Sequence, residues 1–577
     1  MKKTISYGAI VLALVAIALS VVKPIFSSTM WLSIDAFYHL SRVHQLNEWF
    51  SGRGFYPQNF NSFGNIGIAV NVFYPWQVLG IFAAVTAKVS GALAQLQWIL
   101  ALVTVVTSLL AFVAARWAGI KKLPAGLFAL LFTFQVHVAL EMLTSGSYST
   151  ATGAMFIPFA FFGLYRLLVK QEFTWSPVVM MAVGGVGMAY SHLMTFLIVH
   201  MIMILAFAVF LIISRQRFQI FMAGLRYAVL LVPSVLAVLG PIVYLQMTNV
   251  LKAPASSVLA DRTYNIADFI FAQPTFQSGL LLVPLLLLLF LFRRIYQDKM
   301  AYVLVLLGLI MILMTTNVFP WKMLQNTPIA VIQMPVRFLL PALTLLEVVI
   351  FMNESNDKVS TGIILVLTVF AVINGANAVR DFAKETKVLP ELNTAQITQF
   401  GTGVSDGYAI PNGNAVTEAD TQEDRFWLMM NYSDYMPKAA LSNEADNLSF
   451  IATDQNGLRL LAHDLQTTDG VVIKPSAVKI TPKTITLSVH RVSNKGMIRL
   501  PVLGYNGLPM TIKVDGENVH ARIIAGQWAI NAKKLQAGKN NITISQQTPV
   551  WLRVMNIISL TWFAVLIVFV IFKKIKQ

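Results

Sequence analysis

Apolar residues along this chain come in blocks of about twenty, not in alternation. Twelve such runs can be drawn, at about 5–22, 94–115, 123–140, 151–169, 176–194, 196–213, 227–247, 279–293, 300–316, 337–352, 360–378 and 549–572. A hydrocarbon core about 30 Å thick takes roughly this length of helix, so the pattern predicts a polytopic α-helical membrane protein. Lys2 and Lys3 before the first run resemble the start of a signal peptide. No small-x-small cleavage site precedes Lys23, however, so the run is expected to stay as a first span. A further apolar run, 72–92, carries Pro75 and Lys88 and is expected to lie at the outer interface.

The connectors test this count. With Lys2 and Lys3 inside, the basic residues should fall in alternate loops. They do so at Arg116, Lys121 and Lys122; at Arg166 and Lys170; at Arg215, Arg217 and Arg226; at Arg293, Arg294 and Lys299; at Lys358; and at Lys573, Lys574 and Lys576. Counting 72–92 as a span would reverse every later cluster. The expectation is therefore a cell-membrane protein with both termini cytoplasmic and three substantial pieces outside, at about 23–91, 248–278 and 380–548.

Composition sharpens this picture. The 577 residues are 56% apolar and 12% charged, with mean hydropathy +0.66. Soluble globular chains carry about 25% charge, so a soluble enzyme and a disordered chain are both excluded. There is no cysteine, which removes disulfides, zinc-thiolate sites and thiol nucleophiles. The net charge of +17 resides in the apolar part, because basic and acidic residues nearly balance between Arg380 and Thr548. Such an excess sets membrane orientation, and nucleic acid is not an expected partner.

Residues 379–548 read differently from 1–378 and from the last span and basic tail, 549–577. The segments 484–490, 500–503, 510–514 and 541–545 alternate with period two, and Asp515-Gly516 and Tyr505-Asn506-Gly507 are turn signals. The expectation is a β-rich extracytoplasmic domain, a small sandwich or jelly roll. It would serve either as a lid that binds carbohydrate or a partner, or as a spacer.

The first outer loop is richest in chemistry. Apolar residues at 36, 40, 43, 46 and 50 predict an amphipathic interfacial helix with Asp35, His39 and Arg42 on one stripe. That stripe is either a solvated polar face or a carboxylate held at the membrane surface as a general base. Glu141 and Tyr148 lie between the third and fourth runs, Ser191-His192 ends the fifth, and Gln333-Met-Pro-Val-Arg337-Phe338 opens the tenth. Arg337 there is either an interfacial snorkel or a ligand for lipid phosphate. His137, inside the third run, reads as a core histidine.

Asp35-x-x-x-His39, Phe73-Tyr-Pro75, Gly146…Pro158-Phe…Gly163-Leu-Tyr-Arg166, Ser191-His192 and Gln333-Met-Pro-Val-Arg337-Phe338 together resemble the YfhO-like membrane proteins over about residues 1–350. These overlap the 6-pyruvoyl-tetrahydropterin-synthase-related membrane proteins and look like members of the GT-C glycosyltransferase class. The resemblance implies a hexosyltransferase-type enzyme that moves a sugar from a polyprenyl-phosphate donor to an extracytoplasmic glycopolymer, a teichoic acid or wall polysaccharide. It places the catalytic base on Asp35 and substrate binding on His39, Arg42, Glu141, Tyr148, His192 and Arg337. Several GT-C branches pair two acidic residues in the first outer loop and hold a divalent metal; here Asp35 has no adjacent acidic residue, so no metal is indicated. A lipid-linked sugar flippase or transporter is the rival. It should show charges along an intramembrane path or two similar halves, and the spans display few charges and no repeat.

Overall fold

A computed structural model describes residues 6–31, 34–50, 55–135, 148–254, 257–267, 295, 297–353, 358–384, 415–422, 433–441, 454–490 and 496–575. The helices are α1 (Tyr7–Val22), α2 (Ile34–Glu48), α3 (Val70–Phe73), α4 (Gln77–Thr86), α5 (Ala92–Trp117), α6 (Lys122–Phe134), α7 (Tyr148–Ala154), α8 (Ile157–Leu168), α9 (Trp175–Ala189) and α10 (Leu193–Ile213). There follow α11 (Arg217–Ser234), α12 (Leu236–Thr248), α13 (Lys299–Met314), α14 (Leu339–Met352), α15 (Lys358–Lys384), α16 (Glu418–Thr421), α17 (Gln455–Leu461) and α18 (Val550–Ile575). Among the described residues six helices are long and apolar enough to cross a membrane, or seven if the bent pair α11–α12 is one span. Twelve full-length spans are therefore not seen. Run 123–140 is described as helix only to Phe134, and run 279–293 lies outside the described residues.

The departures from an uninterrupted helix have local causes. Pro233 lacks an N–H and crowds the preceding turn, and α11 and α12 meet there at 70°. The freed Ser234 carbonyl accepts the Tyr190 hydroxyl at 2.7 Å and also the Ser559 hydroxyl, which ties the returning helix α18 into the bundle. The apolar run 72–92 is not one helix, because Tyr74–Trp76 interrupt it between α3 and α4. At the bundle centre α8 and α9 pack backbone to backbone. A Cβ on Gly184 would lie 2.6 Å from the Ala160 nitrogen, so only glycine permits that approach.

The C-terminal region forms two five-stranded sheets. The strands are β1 (Thr29–Trp31), β2 (Ala415–Thr417), β3 (Leu465–Thr467), β4 (Val472–Ile473), β5 (Ala477–Ile480), β6 (Thr484–His490), β7 (Met497–Leu503), β8 (Met510–Val514), β9 (Glu517–Asn518), β10 (Ala521–Ile524), β11 (Gln527–Asn531) and β12 (Lys539–Gln546). One sheet has the order β10-β11-β7-β3-β4 and the other β5-β6-β12-β8-β9, all antiparallel. Ile485, Leu487 and Val489 of β6 alternate inward to meet Ile498, Leu500 and Val502 of β7. Asp515 and Gly516 both take positive φ, the geometry of a tight hairpin between β8 and β9.

This sandwich docks on the first loop and does not hang free. Phe60 enters its core, the Leu503 nitrogen donates to the Ile66 carbonyl at 2.9 Å, and Gln58 and Gln546 exchange two hydrogen bonds at 2.9 and 2.8 Å. A second tie comes from β2, which pairs with β1 and delivers Glu418 to the start of α5. The Glu418 carboxylate accepts from the Ala92 and Leu93 nitrogens at 2.8 and 3.1 Å, capping a helix whose own preceding residue, Gly91, has no side chain to do so.

Candidate functional site

Helix α2 buries Ala36, Leu40, Val43 and Leu46, as its apolar spacing predicts. Its polar stripe departs from the expected solvated face: His39, Ser41, Arg42 and Gln45 are buried as well. Residues 55–76 fold over that side and supply the partners. Arg42 Nε donates to Asn71 Oδ1 at 3.0 Å, Nη1 to the Ser149 hydroxyl at 3.3 Å, and Nη2 to the carbonyls of Tyr74 and Pro75. The Tyr74 ring lies 4.8 Å from the guanidinium carbon, and His39 Nδ1 is 3.4 Å from Nη1. Every nitrogen of Arg42 is thus committed to protein. The reading of Arg42 as a substrate ligand gives way to one in which it clamps the loop.

Asp35 is different. At the start of the same helix, it is exposed to solvent, and among the described residues its carboxylate accepts no hydrogen bond and forms no ion pair. Protein walls surround it closely enough that desolvation lifts its carboxyl above the ordinary value, while the Arg337 charge pulls it back. Solvent reaches the group, yet the field of Arg337 does too.

Arg337 sits on a single helical turn, Pro335–Phe338, that leads into α14. Gln333, with positive φ, turns the chain into it. Arg337 Nη1 donates to the Ile332 carbonyl at 2.9 Å and to Gln333 Oε1 at 3.1 Å; among the described residues Nε and Nη2 make no hydrogen bond. Beside it is a small cleft, walled by Ile157, Met194, Ile198 and Leu340, with Arg337 and His192 on its polar side.

His192 precedes α10 and caps it, its Nδ1 accepting from the Thr195 nitrogen at 3.4 Å. That bond leaves the proton on Nε2. Burial, then the Arg337 and Arg42 charges, push this imidazole down to about 3, and the same causes push His39 well down, so both are neutral at physiological pH. Tyr74 lies 6.2 Å from His192 and 5.4 Å from Tyr38, ring centre to ring centre, while Tyr148 stands 5.7 Å from His39. Of the residues expected to act together, Asp35, His39, Arg42, Tyr148, His192 and Arg337 fall into one connected region. Glu141 and His137 lie outside the described residues.

Several neighbours were not legible beforehand. Asn71 and Ser149 hold Arg42, and Tyr74 sits between the two arginines and Asp35, its hydroxyl pushed up to about 12 by burial first and by Asp35 next. Asp434 and Tyr435 arrive from the far end of the chain. Tyr435 stacks on Phe73 at 4.8 Å and donates its backbone N–H to the Lys252 carbonyl, while the Lys252 N–H donates to the Met436 carbonyl; the buried Lys252 ammonium is 3.7 Å from Asp434. Burial lifts Asp434 to about 6, against the pull of Lys252. Only the Phe73-Tyr-Pro75 corner carried a signal in the sequence. Among the described residues no group of three or more acidic or histidine side chains is placed to hold a metal.

No protein-family model matches the sequence, and no curated protein matches it. Among solved structures the chain is similar to the arabinofuranosyltransferase AftD from Mycobacteria, determined by single-particle cryo-electron microscopy, with 12% identity and a TM-score of 0.42. The match covers 70% of this chain and 29% of that protein, so the chain spans under a third of its neighbour's length.

Proposed function

We propose that this chain is a membrane glycosyltransferase that carries a sugar from a polyprenyl-phosphate donor to an extracytoplasmic surface polymer, with inversion at the anomeric carbon. The observation that carries the reading is the cleft. Its apolar walls lead to an arginine with two nitrogens unbonded among the described residues, and the charge of that arginine acts on the solvent-exposed Asp35 carboxylate. The apolar walls suit the first units of a polyprenyl chain, and the guanidinium and the Nε2–H of His192 suit its phosphate.

In this mechanism Asp35 takes the proton of the acceptor hydroxyl as that oxygen attacks the anomeric carbon. The new C–O bond forms as the bond to the phosphate oxygen breaks, and the electron pair leaves on the polyprenyl phosphate. Arg337 stabilises that charge. The lifted pKa of Asp35 makes it the stronger base, and Arg337 keeps it ionised. Arg42 and the tyrosines hold the loop that aims Asp35.

The same reading assigns twelve spans. The shorter helices α6, α9, α13 and α18 cross with the long ones, α11–α12 counts once, the apolar run 279–293, outside the described residues, is counted from its sequence alone, and α4 rests at the outer surface. Both termini are then cytoplasmic and the site faces out.

The test is Asp35→Asn. The variant should insert normally and bind polyprenyl phosphate with the wild-type Kd, while modification of the surface polymer, read by mass spectrometry of cells that carry it, disappears. Full modification would remove Asp35 from the mechanism.

A further inference from the structure

A second polar cluster, on the face of the first sheet away from the sandwich core, has no part in the proposed transfer. Arg459 of α17 is buried at 9% exposure, and its Nη2 donates to Gln527 Oε1 of β11 at 3.2 Å. Its Nε and Nη1 are buried and have no acceptor. Arg499 of β7 stands in register with Gln466 of β3 on one side and Ala529 of β11 on the other. Its Nη2 donates to Gln466 Oε1, and its Nε is buried without an acceptor. Gln527, fully buried, leaves Nε2 unpaired in the same place. Among the described residues, four nitrogens on three side chains therefore lack acceptors.

Their surroundings supply a counter-charge only at a distance, from Asp464 and Asp454. Neither guanidinium forms an ion pair among the described residues. Asp454 lies close by in charge, but one of its oxygens accepts from the Gly457 nitrogen at 2.8 Å to start α17. Burial first, and Arg499 second, push Arg459 down to about 10, with Asp464 and Asp454 pulling the other way. Two like charges facing each other, with donors aimed at nothing, are unfavourable unless an anion completes them. The registers of β3, β7 and β11 fix the arrangement, so it does not arise from a floppy surface side chain.

We propose that this face of the sandwich binds an oxyanion, a phosphate or a carboxylate, with Arg459 and Arg499 as guanidinium ligands and Gln527 as an amide donor. Both arginines retain a free Nε, and planar guanidinium donors suit two-point contact with either anion. The site is separate from Arg337 and does not depend on the transfer reading.

The experiment titrates the purified full-length protein, in an uncharged maltoside detergent, with sodium phosphate, sodium glucuronate and glucose by calorimetry. Saturable binding of phosphate or of glucuronate, but not of glucose, is expected, and the better of the two anions identifies the source. Arg459→Gln and Arg499→Gln should each weaken that binding at least about 10-fold, and Arg459→Lys by less. Arg522→Gln, at an exposed position of β10, should leave it unchanged. The anion should raise the Tm of wild type but not of Arg459→Gln. Absence of saturable anion binding, binding indifferent to both arginine changes, or binding lost in Arg337→Ala instead would each overturn the proposal.

Discussion

Arg42 and Arg337 offer the same guanidinium to the same region, and the structure treats them in opposite ways. Arg42 is fully buried, with all three nitrogens spent on Asn71, Ser149 and two backbone carbonyls. Arg337 is half-buried at a cleft, with two nitrogens unspent among the described residues. The lesson is that an arginine's role is read from what its donors still lack. A saturated one holds architecture together, and an unsaturated one beside an apolar groove waits for an anion.

The comparison breaks first at Arg42. Replacing it with Ala leaves buried acceptors unpaired and a hole beneath the loop at 55–76, at a cost of about 3 kcal/mol or more. The melting temperature in detergent should fall by several degrees. Arg337→Ala should leave melting nearly unchanged and raise the Kd for polyprenyl phosphate about 10- to 100-fold, the range for losing one charge-assisted pair. If the two effects were exchanged, the roles given to the arginines would be exchanged too. Glu418→Ala sharpens the contrast between fixed scaffold and open site. It removes the cap of α5 and should cost about 1 kcal/mol, read as a small Tm loss with donor binding intact.

How much of this was legible follows the range of the forces involved. Periodicity is local, so β6 appears at Thr484–His490 and β8 at Met510–Val514, where alternation placed them, and α10 ends where its apolar run ends. Asp35, His39 and Arg42 were read onto one stripe because a helix turn puts them there. What covers that stripe is non-local. Asn71 is 29 residues from Arg42 and Ser149 is 107, and nothing in either neighbourhood announces the bond. Asp434 and Tyr435 sit in a stretch without periodicity and acquire meaning only by docking on Phe73 and Lys252. The break of α11 was marked by Pro233, but hydropathy averages over a proline and reads one continuous run.

The claim that Asp35 and Arg337 work in one site is tested most directly by the pH dependence of transfer. A general base must be ionised, so kcat/KM should fall as pH drops through the pKa of Asp35, which lies above the ordinary aspartate value. Arg337 lowers that pKa, so Arg337→Ala should move the acid limb to higher pH, beyond any loss in donor affinity. An acid limb that stays where it is in wild type would contradict the account.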